Sequence, residues 1–206
     1  MREFVAVGSL DALRDVLEGA SGVELSAAGD VVIVTTAAAF IGVTEAAIEL
    51  SFLFEDAGAR VEALMNVDRS SSDEPYFAQR VRDADLVVLA DGSALHAKSV
   101  WHASALGEAI RDAERVVAVG TVASVPGATM IDPRGGAPTT GLGYFDGLVI
   151  TTRVGEEQLN RTRSLLGADV PLAVLGPRGV VRSDGARWRV MSEDVVTTRA
   201  LEVVTL

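Results

Sequence analysis

Short apolar runs separated by helix-length segments constrain the fold of this chain more than any other feature. The clearest runs are Val31 to Thr35, Leu86 to Ala90 and Val116 to Val119. Strands that are apolar on both faces are typical of parallel sheets that helices cover on both sides. Between the runs lie segments with apolar residues at helical spacing, such as Val43 to Ala57. The sequence therefore predicts an α/β fold with a mostly parallel central sheet.

Further segments continue the alternation. Ser9 is placed to cap a helix from Leu10 to Leu17. The predicted elements also include a strand at Arg60 to Val67, a single helix at Ala97 to Ala113, a strand at Leu148 to Thr152 and a helix at Glu156 to Leu166. Two polar or glycine-rich stretches, Asp68 to Pro75 and Ile131 to Gly143, are predicted to be loops.

The last forty or so residues have a different pattern, with short strand-like runs separated by turn signals. Turns are indicated at Gly176-Pro177, Ser183-Asp184-Gly185 and Ser192-Glu193-Asp194. This spacing favours hairpins and predicts short antiparallel strands at the C-terminal end. No internal repeat or low-complexity linker interrupts residues 1–206, so a single domain is expected.

Composition excludes several function classes. The chain has 206 residues and no cysteine, so a disulfide, a thiolate nucleophile and a cysteine-ligated metal are ruled out. Its 18 basic and 29 acidic residues give a net charge of −11, which disfavours nucleic acid and anionic membranes as partners. No apolar run is long enough to span a bilayer, and the first residues lack the apolar core of a signal peptide. We expect a cytoplasmic protein.

The stretch Arg115 to Met130 is the most informative for function. An apolar strand meets Gly120 and turns sharply, which in α/β hydrolases is where a nucleophile is raised above the sheet. Here the apex positions hold Val122, Ala123 and Val125, none of which can attack a carbonyl. Ser124 carries the nearest hydroxyl, but it is displaced from the expected position and is followed by Val125-Pro126. An ordinary turn serine is the favoured interpretation.

Other candidate chemistry is sparse. The two histidines, His96 and His102, are six residues apart on one predicted helix, a spacing that does not place both on one metal. Asp91, Asp132 and Asp146 follow strands or lie in loops, where aspartate serves equally as a turn residue or as a site residue. No phosphate-binding glycine motif is present, so we predict neither a nucleotide nor another cofactor, and no metal.

Five segments in order carry a family resemblance. They are Val31 to Ala37, Ala84 to Ser93, Gly120 to Ser124, Gly141 to Ile150 and Pro171 to Val181. Together they resemble peptidase family S51, the cyanophycinase and dipeptidase E family of serine peptidases. The resemblance implies a three-layer, flavodoxin-like fold of the class I glutamine amidotransferase type.

The functional residues of that family do not carry over. The family's nucleophilic serine, in "GTSAGA", falls on Val122, or on Val125 if the match is anchored on Gly127-Ala128. The family's histidine falls on Arg153, and its acid falls near Leu175. The family's "GGDQ" loop has become Ala90-Asp91-Gly92-Ser93. The resemblance therefore implies a non-catalytic member. A remnant pocket is expected from Asp91, Gly92, Ser93, Thr121, Val122, Ala123 and Arg153.

Three function classes follow. The favoured one is a catalytically inactive homologue that binds a small molecule, a peptide or a protein partner in a regulatory role. The second is a serine-type peptidase or hydrolase with relocated residues, using Ser124 or Ser93 with His96 or His102 as base. The third is a structural subunit, in which an apolar surface with Trp188 and the C-terminal strands forms a homodimer.

Overall fold

The structure, a computed structural model, describes residues 3–20, 25, 29–152, 154–198 and the backbone of 202–203. The helices are α1 Leu10–Leu17, α2 Val43–Asp56, α3 Arg69–Ser72, α4 Pro75–Asp83, α5 Ala94–Trp101, α6 Ala105–Asp112 and α7 Glu156–Leu166. The strands are β1 Glu3–Val7, β2 Asp30–Val34, β3 Arg60–Leu64, β4 Leu86–Leu89, β5 Arg115–Val119, β6 Thr129–Ile131, β7 Pro138–Thr140, β8 Val149–Thr152, β9 Leu172–Leu175, β10 Val180–Ser183, β11 Trp188–Val190, β12 Val195–Thr197 and β13 Glu202–Val203. Two 3₁₀ segments span Thr36–Phe40 and Gly120–Ser124.

The main sheet has eight strands in the order β13-β11-β10-β1-β5-β4-β2-β3. The five strands from β1 to β3 in this order are mutually parallel, and β10 joins β1 as an antiparallel neighbour. A smaller sheet has the order β12-β9-β8, and β6 pairs with β7 in a hairpin. This arrangement confirms the predicted α/β fold with a mostly parallel central sheet and short antiparallel strands.

Helices cover both faces of the main sheet, as its apolar strands require. On one face, α1 and α2 pack Leu13, Leu50 and Phe54 against the sheet. On the other face, α4, α5 and α6 cover it, and the fully buried Trp101 is the largest side chain of that core. The smaller sheet adds buried side chains of β8 and β9 to the core that lies under α4, α5 and α6. This places β8 beside the Gly120–Ser124 segment.

The prediction of one helix from Ala97 to Ala113 was wrong. The structure has two helices, α5 and α6, separated by a break at His102–Ser104. Ala103 adopts a positive φ of 52°, and the buried Ser104 caps α6 by accepting a hydrogen bond from the Gly107 amide at 3.0 Å. Apolar residues keep a helical spacing across the break, so periodicity could not reveal it.

Other segment predictions also need correction. Within Asp68 to Pro75, the short helix α3 begins after Asp68, whose side chain accepts from the Ser71 amide at 2.8 Å. Part of Ile131 to Gly143 forms β7 of the β6–β7 hairpin. At the C-terminal end, β10 and β11 form a hairpin, but β9 pairs with β8 in parallel through α7. Turn signals do not state which strand a run will pair with.

Candidate functional site

The turn after β5 has the form expected of a nucleophile elbow, but its apex lies in the core. Gly120 has a φ of +62°, and the chain continues into the Gly120–Ser124 segment. The side chains of Val122, Ala123 and Val125 are all 0% exposed. They pack in the core on the face of the sheet covered by α4, α5 and α6. These three side chains at the apex therefore do not face an incoming substrate.

Asp91 joins the ends of β4 and β5. Its Oδ1 accepts hydrogen bonds from the Gly92 amide at 2.7 Å, the Thr121 amide at 2.8 Å and the Thr121 hydroxyl at 3.0 Å. Backbone amides at such a turn are the groups that hold an oxyanion in hydrolases of this architecture. In this structure the amides of Gly92 and Thr121 donate to a carboxylate that belongs to the chain itself.

Close packing enforces this arrangement. Gly92 has a φ of +147°, and a Cβ added there would lie 2.1 Å from the carbonyl oxygen of Ala37. A Cβ added at Gly120 would lie 2.1 Å from Oδ2 of Asp91. Gly92 requires glycine because an added Cβ would collide with the backbone. Gly120 favours glycine because its φ is positive and a Cβ would displace the Asp91 carboxylate. The Asp91–Gly92 turn therefore packs directly against the Thr36–Phe40 segment on one side and against the elbow on the other.

The cavity that the described residues form beside the elbow is very small. A cavity of about 20 Å³ is lined by Thr121, Ser124, Thr151, Thr152 and Gln158, together with neighbouring apolar groups. A single water molecule needs roughly 10–15 Å³ of this kind of space. The cavity has room for about one water molecule and none for a peptide.

The hydroxyls and imidazoles that were candidates for a relocated site are separated. Ser124 is 5% exposed and donates its hydroxyl hydrogen to the Thr121 carbonyl at 3.0 Å. Ser93 caps α5 by accepting from the His96 amide at 3.3 Å. The His96 ring contacts the Val67 carbonyl through Nε2 at 2.7 Å and packs edge-on against Phe40.

His102 follows the last residue of α5, and its carbonyl oxygen accepts a hydrogen bond from the Arg69 side chain. Both histidines and both serines are among the described residues, and none of the hydrogen bonds there joins an imidazole to either hydroxyl.

The other predicted residues fall into three groups. Asp132 and Asp146 behave as turn residues, accepting from the Arg134 amide at 2.8 Å and the Gly147 amide at 2.7 Å. Leu175, at the family's acid position, is a fully buried residue of β9. Arg153 lies outside the described residues, so its place in the expected remnant pocket stays a prediction.

A larger pocket lies beside Asp91, at the carboxyl ends of β1 and β5. Helix α1 follows β1 onto one face of the sheet, and α5 follows β4 onto the other face. Open α/β sheets form a ligand crevice at such a switch point, where the connections leave the strand ends toward opposite faces. The pocket has a volume of about 360 Å³, and its lining includes Ser9, Gly42, Glu45, Glu49 and Asp91. We call it the switch-point pocket. No motif marks it, although Gly8-Ser9 directly after β1 is the kind of turn that forms such a crevice.

Comparisons with known proteins identify the fold. The sequence matches no protein-family model and no curated protein. Two solved structures are similar over nearly the whole chain. One is a peptidase from an acI-B1 Actinobacterium, with a TM-score of 0.69 and 14% identity over 93% of this chain and 87% of that one.

The other is a putative peptidase E protein from Listeria monocytogenes EGD-e, with a TM-score of 0.63 and 13% identity over 97% of this chain and 99% of that one. At these identities the similarity shows the fold alone, which is a peptidase E-like, flavodoxin-like fold. Among the described residues, no helix combines the length and apolar character needed to cross a membrane.

Proposed function

We propose that this protein is a non-hydrolytic member of the peptidase E-like fold that binds a ligand without cleaving it. The observation that carries the proposal is Val122, which is 0% exposed at the position where the resemblance places the nucleophile. A valine side chain has no atom that can attack a carbonyl. Its burial also means that this position does not face the space where a substrate would lie.

The surrounding groups support the same proposal. Members of a Ser-His-acid unit act together, and the loss of one typically lowers the rate by several orders of magnitude. The Ser124 hydroxyl is used within its own turn, and the His96 ring contacts the Val67 carbonyl. The amides of Gly92 and Thr121 are occupied by Asp91. A relocated hydrolase would need all of these contacts to rearrange.

The switch-point pocket supports the binding part of the proposal. Its volume of about 360 Å³ lies within the common range for small-molecule sites, roughly 300–1,000 Å³. The cavity at the elbow is much smaller, at about 20 Å³. Asp91 borders the switch-point pocket and also accepts a hydrogen bond from the Thr121 amide, so a ligand in this pocket would lie next to the elbow.

The hydrolytic part is tested by exposing the protein to a fluorophosphonate probe and measuring its intact mass. We expect no adduct for the parent protein or for Ser124→Ala, and no cleavage of a panel of dipeptides. A single adduct that disappears in Ser124→Ala would show an activated serine and would overturn the proposal. An active serine peptidase in the same reaction confirms that the probe is competent.

The binding part is tested by a thermal-shift screen of small molecules on three proteins. Ala46→Leu adds bulk to the wall of the switch-point pocket, and Ala57→Leu adds the same bulk at an exposed position after α2. Ligands that stabilise the parent and Ala57→Leu but not Ala46→Leu support binding in this pocket. Ligands that stabilise all three equally place binding elsewhere, and a screen without hits leaves the protein without the proposed ligand site.

A further inference from the structure

A second pocket lies at the opposite end of the sheet from the elbow, and its shape follows from one cross-strand row. Phe4 of β1 pairs in register with Ser183 of β10, and Ser183 pairs with Trp188 of β11. The three side chains share one face of the sheet because paired residues point the same way. The Phe4 and Trp188 rings meet edge to face across Ser183, with ring centroids 6.0 Å apart. A pocket lined by these rings and Ser183 lies beside them, and we call it the aromatic pocket.

Phe145, from the loop before β8, forms a further wall of the aromatic pocket. Its ring centroid lies 4.7 Å from that of Phe4 and 4.9 Å from that of Trp188. The indole N–H of Trp188 donates to the carbonyl oxygen of Asp146 at 3.2 Å, which holds the loop against the strand. The resulting pocket has a volume of about 370 Å³, enough for a small organic molecule.

The polar groups of the aromatic pocket are acceptors with unused capacity. One carboxylate oxygen of Asp146 accepts from the Gly147 amide, and no ion pair involves Asp146 within the described part of the chain. Ser183 is only 7% exposed, and its oxygen accepts from the Gly185 amide at 3.1 Å. A second lone pair of that oxygen is therefore available to a donor. The pocket offers aromatic faces, a carboxylate and a hydroxyl oxygen together.

Two arginines of the neighbouring strands are paired with carboxylates. Arg182 alternates with Ser183 along β10, so it points to the opposite face of the sheet, where it pairs with Glu3 at 2.8 Å. Arg189 pairs with Asp184 at 3.0 Å. The net charge of −11 means that the molecule as a whole attracts cations and repels anions.

We propose that the aromatic pocket binds a small organic cation of the alkylammonium class, with the charged nitrogen over the Trp188 indole and beside Asp146. Aromatic faces attract cations through the negative potential of the ring, and tryptophan is the strongest of the three aromatic residues in this respect. An ammonium group with an apolar body matches both the walls and the carboxylate. This site is separate from the switch-point pocket, and the inference does not depend on the proposed function.

Choline and its neutral isostere 3,3-dimethylbutan-1-ol provide a matched pair of probes. The readout is the set of indole N–H signals in a nitrogen–proton correlation spectrum. The chain has two tryptophans, and Trp101 is fully buried on another element, so it serves as an internal reference. Trp188→Phe assigns the two signals. We expect choline to shift the Trp188 signal saturably while the Trp101 signal stays in place.

The neutral isostere is expected to bind about five- to tenfold more weakly than choline, because it lacks the cation–π and carboxylate attractions. Asp146→Asn should weaken choline binding about threefold or more while leaving the alcohol unchanged. Asp56→Asn, at the exposed end of α2, removes the same charge at a distance and should change neither. Equal affinity for the two probes, no saturable shift of Trp188, or equal effects of the two variants would overturn the proposal.

Discussion

Gly92 and Gly120 lie at the ends of neighbouring strands, and a Cβ added at Gly92 would collide with the backbone carbonyl of Ala37. We expect Gly92→Ala to lower the free energy of unfolding by about 2–4 kcal/mol, since it adds a backbone clash to an unfavourable φ. The matched control is Gly143→Ala, at a φ of +70° with nothing within 4 Å of the added Cβ. It should cost about 1 kcal/mol, the cost of the φ angle alone.

Chemical denaturation of the three proteins measures these differences. Equal losses for Gly92→Ala and Gly143→Ala would mean that the Asp91–Gly92 turn relaxes away from Ala37 at little cost. In that case the turn would not hold the elbow rigidly.

Tyr144 gives a second prediction at the same scale, because no hydrogen bond to its hydroxyl is found among the described residues. Burial raises the pKa of Tyr144 above its usual value of 10.0. Below pH 10 we expect Tyr144→Phe to change the free energy of unfolding by less than about 0.5 kcal/mol, since no partner is lost.

Above pH 10 the two proteins should diverge. The unfolded chain loses the Tyr144 proton there while the folded protein keeps it, so the folded state becomes less stable as pH rises. The parent protein should therefore lose stability relative to Tyr144→Phe between pH 10 and higher values, which urea denaturation at a series of pH values measures. A constant difference across this range would contradict the raised pKa.

The position of Val122 directly after a strand and Gly120 could be predicted from residues alone, because all of them are adjacent in sequence, and the expected lack of catalysis there stays a prediction. The resemblance placed Asp91 and Thr121 in one pocket, but the hydrogen bonds that join them could not be predicted, since the two residues are 30 positions apart. The aromatic pocket could not be predicted either. It forms because β1, β10 and β11 are neighbours in the sheet, and the residues around Phe4 and Trp188 carry no local signal for that pairing.

At the scale of elements, the junction between α5 and α6 depends on Ser104. This residue is 1% exposed, accepts from the Gly107 amide and donates to the Trp101 carbonyl, each at 3.0 Å. We expect Ser104→Ala to lower the free energy of unfolding by about 1–2 kcal/mol, because it leaves a buried helix start uncapped. Thermal or urea unfolding of the variant gives the value.

The control for this junction is Ser99→Ala, at an exposed position inside α5. Alanine is the better helix former, so this variant should be neutral or slightly more stable. If Ser104→Ala were also neutral, the break between α5 and α6 would be held by packing of Trp101 and Leu106 and not by the cap.

Elements were predictable where one local signal decided them. Strands β2, β4 and β5 were found because they are apolar on both faces, and α1 because Ser9 and the apolar spacing agree. The break at Ala103 was missed because apolar residues keep a helical spacing across it. The parallel pairing of β9 with β8 was missed because β9 was grouped with the short strands that follow it and not with β8 and α7 before it.

At the scale of the whole molecule, the layers followed from the pattern of elements, but the strand order did not. Placing β10 beside β1 extends the parallel sheet with an antiparallel strand and also creates the aromatic pocket. No local pattern selects β1 as the neighbour of β10. The positions of the switch-point pocket and the aromatic pocket therefore depend on the order of all the strands in the sheet.

The net charge of −11 predicts how the stability of the whole molecule depends on salt. Folding brings the excess carboxylates closer together, and their mutual repulsion is screened as the Debye length falls from about 30 Å at 0.01 M salt to about 8 Å at 0.15 M. Salt also weakens ion pairs, but those such as Arg60–Asp30 are exposed and contribute little. We therefore expect the Tm to rise by about 2–4 °C over this range of sodium chloride.

A variant with one carboxylate fewer tests the cause of that rise. Glu55 is exposed in the last turn of α2, which has no basic residue to offset its charge, and no ion pair involves it in the described part of the chain. Glu55→Gln should raise the Tm at low salt, and the gain should shrink as salt is added, because screening replaces the effect of the removed charge. Differential scanning calorimetry at low and physiological salt measures both quantities. A parent Tm that falls with salt would show that local ion pairs, and not the net negative charge, dominate the electrostatics of the fold.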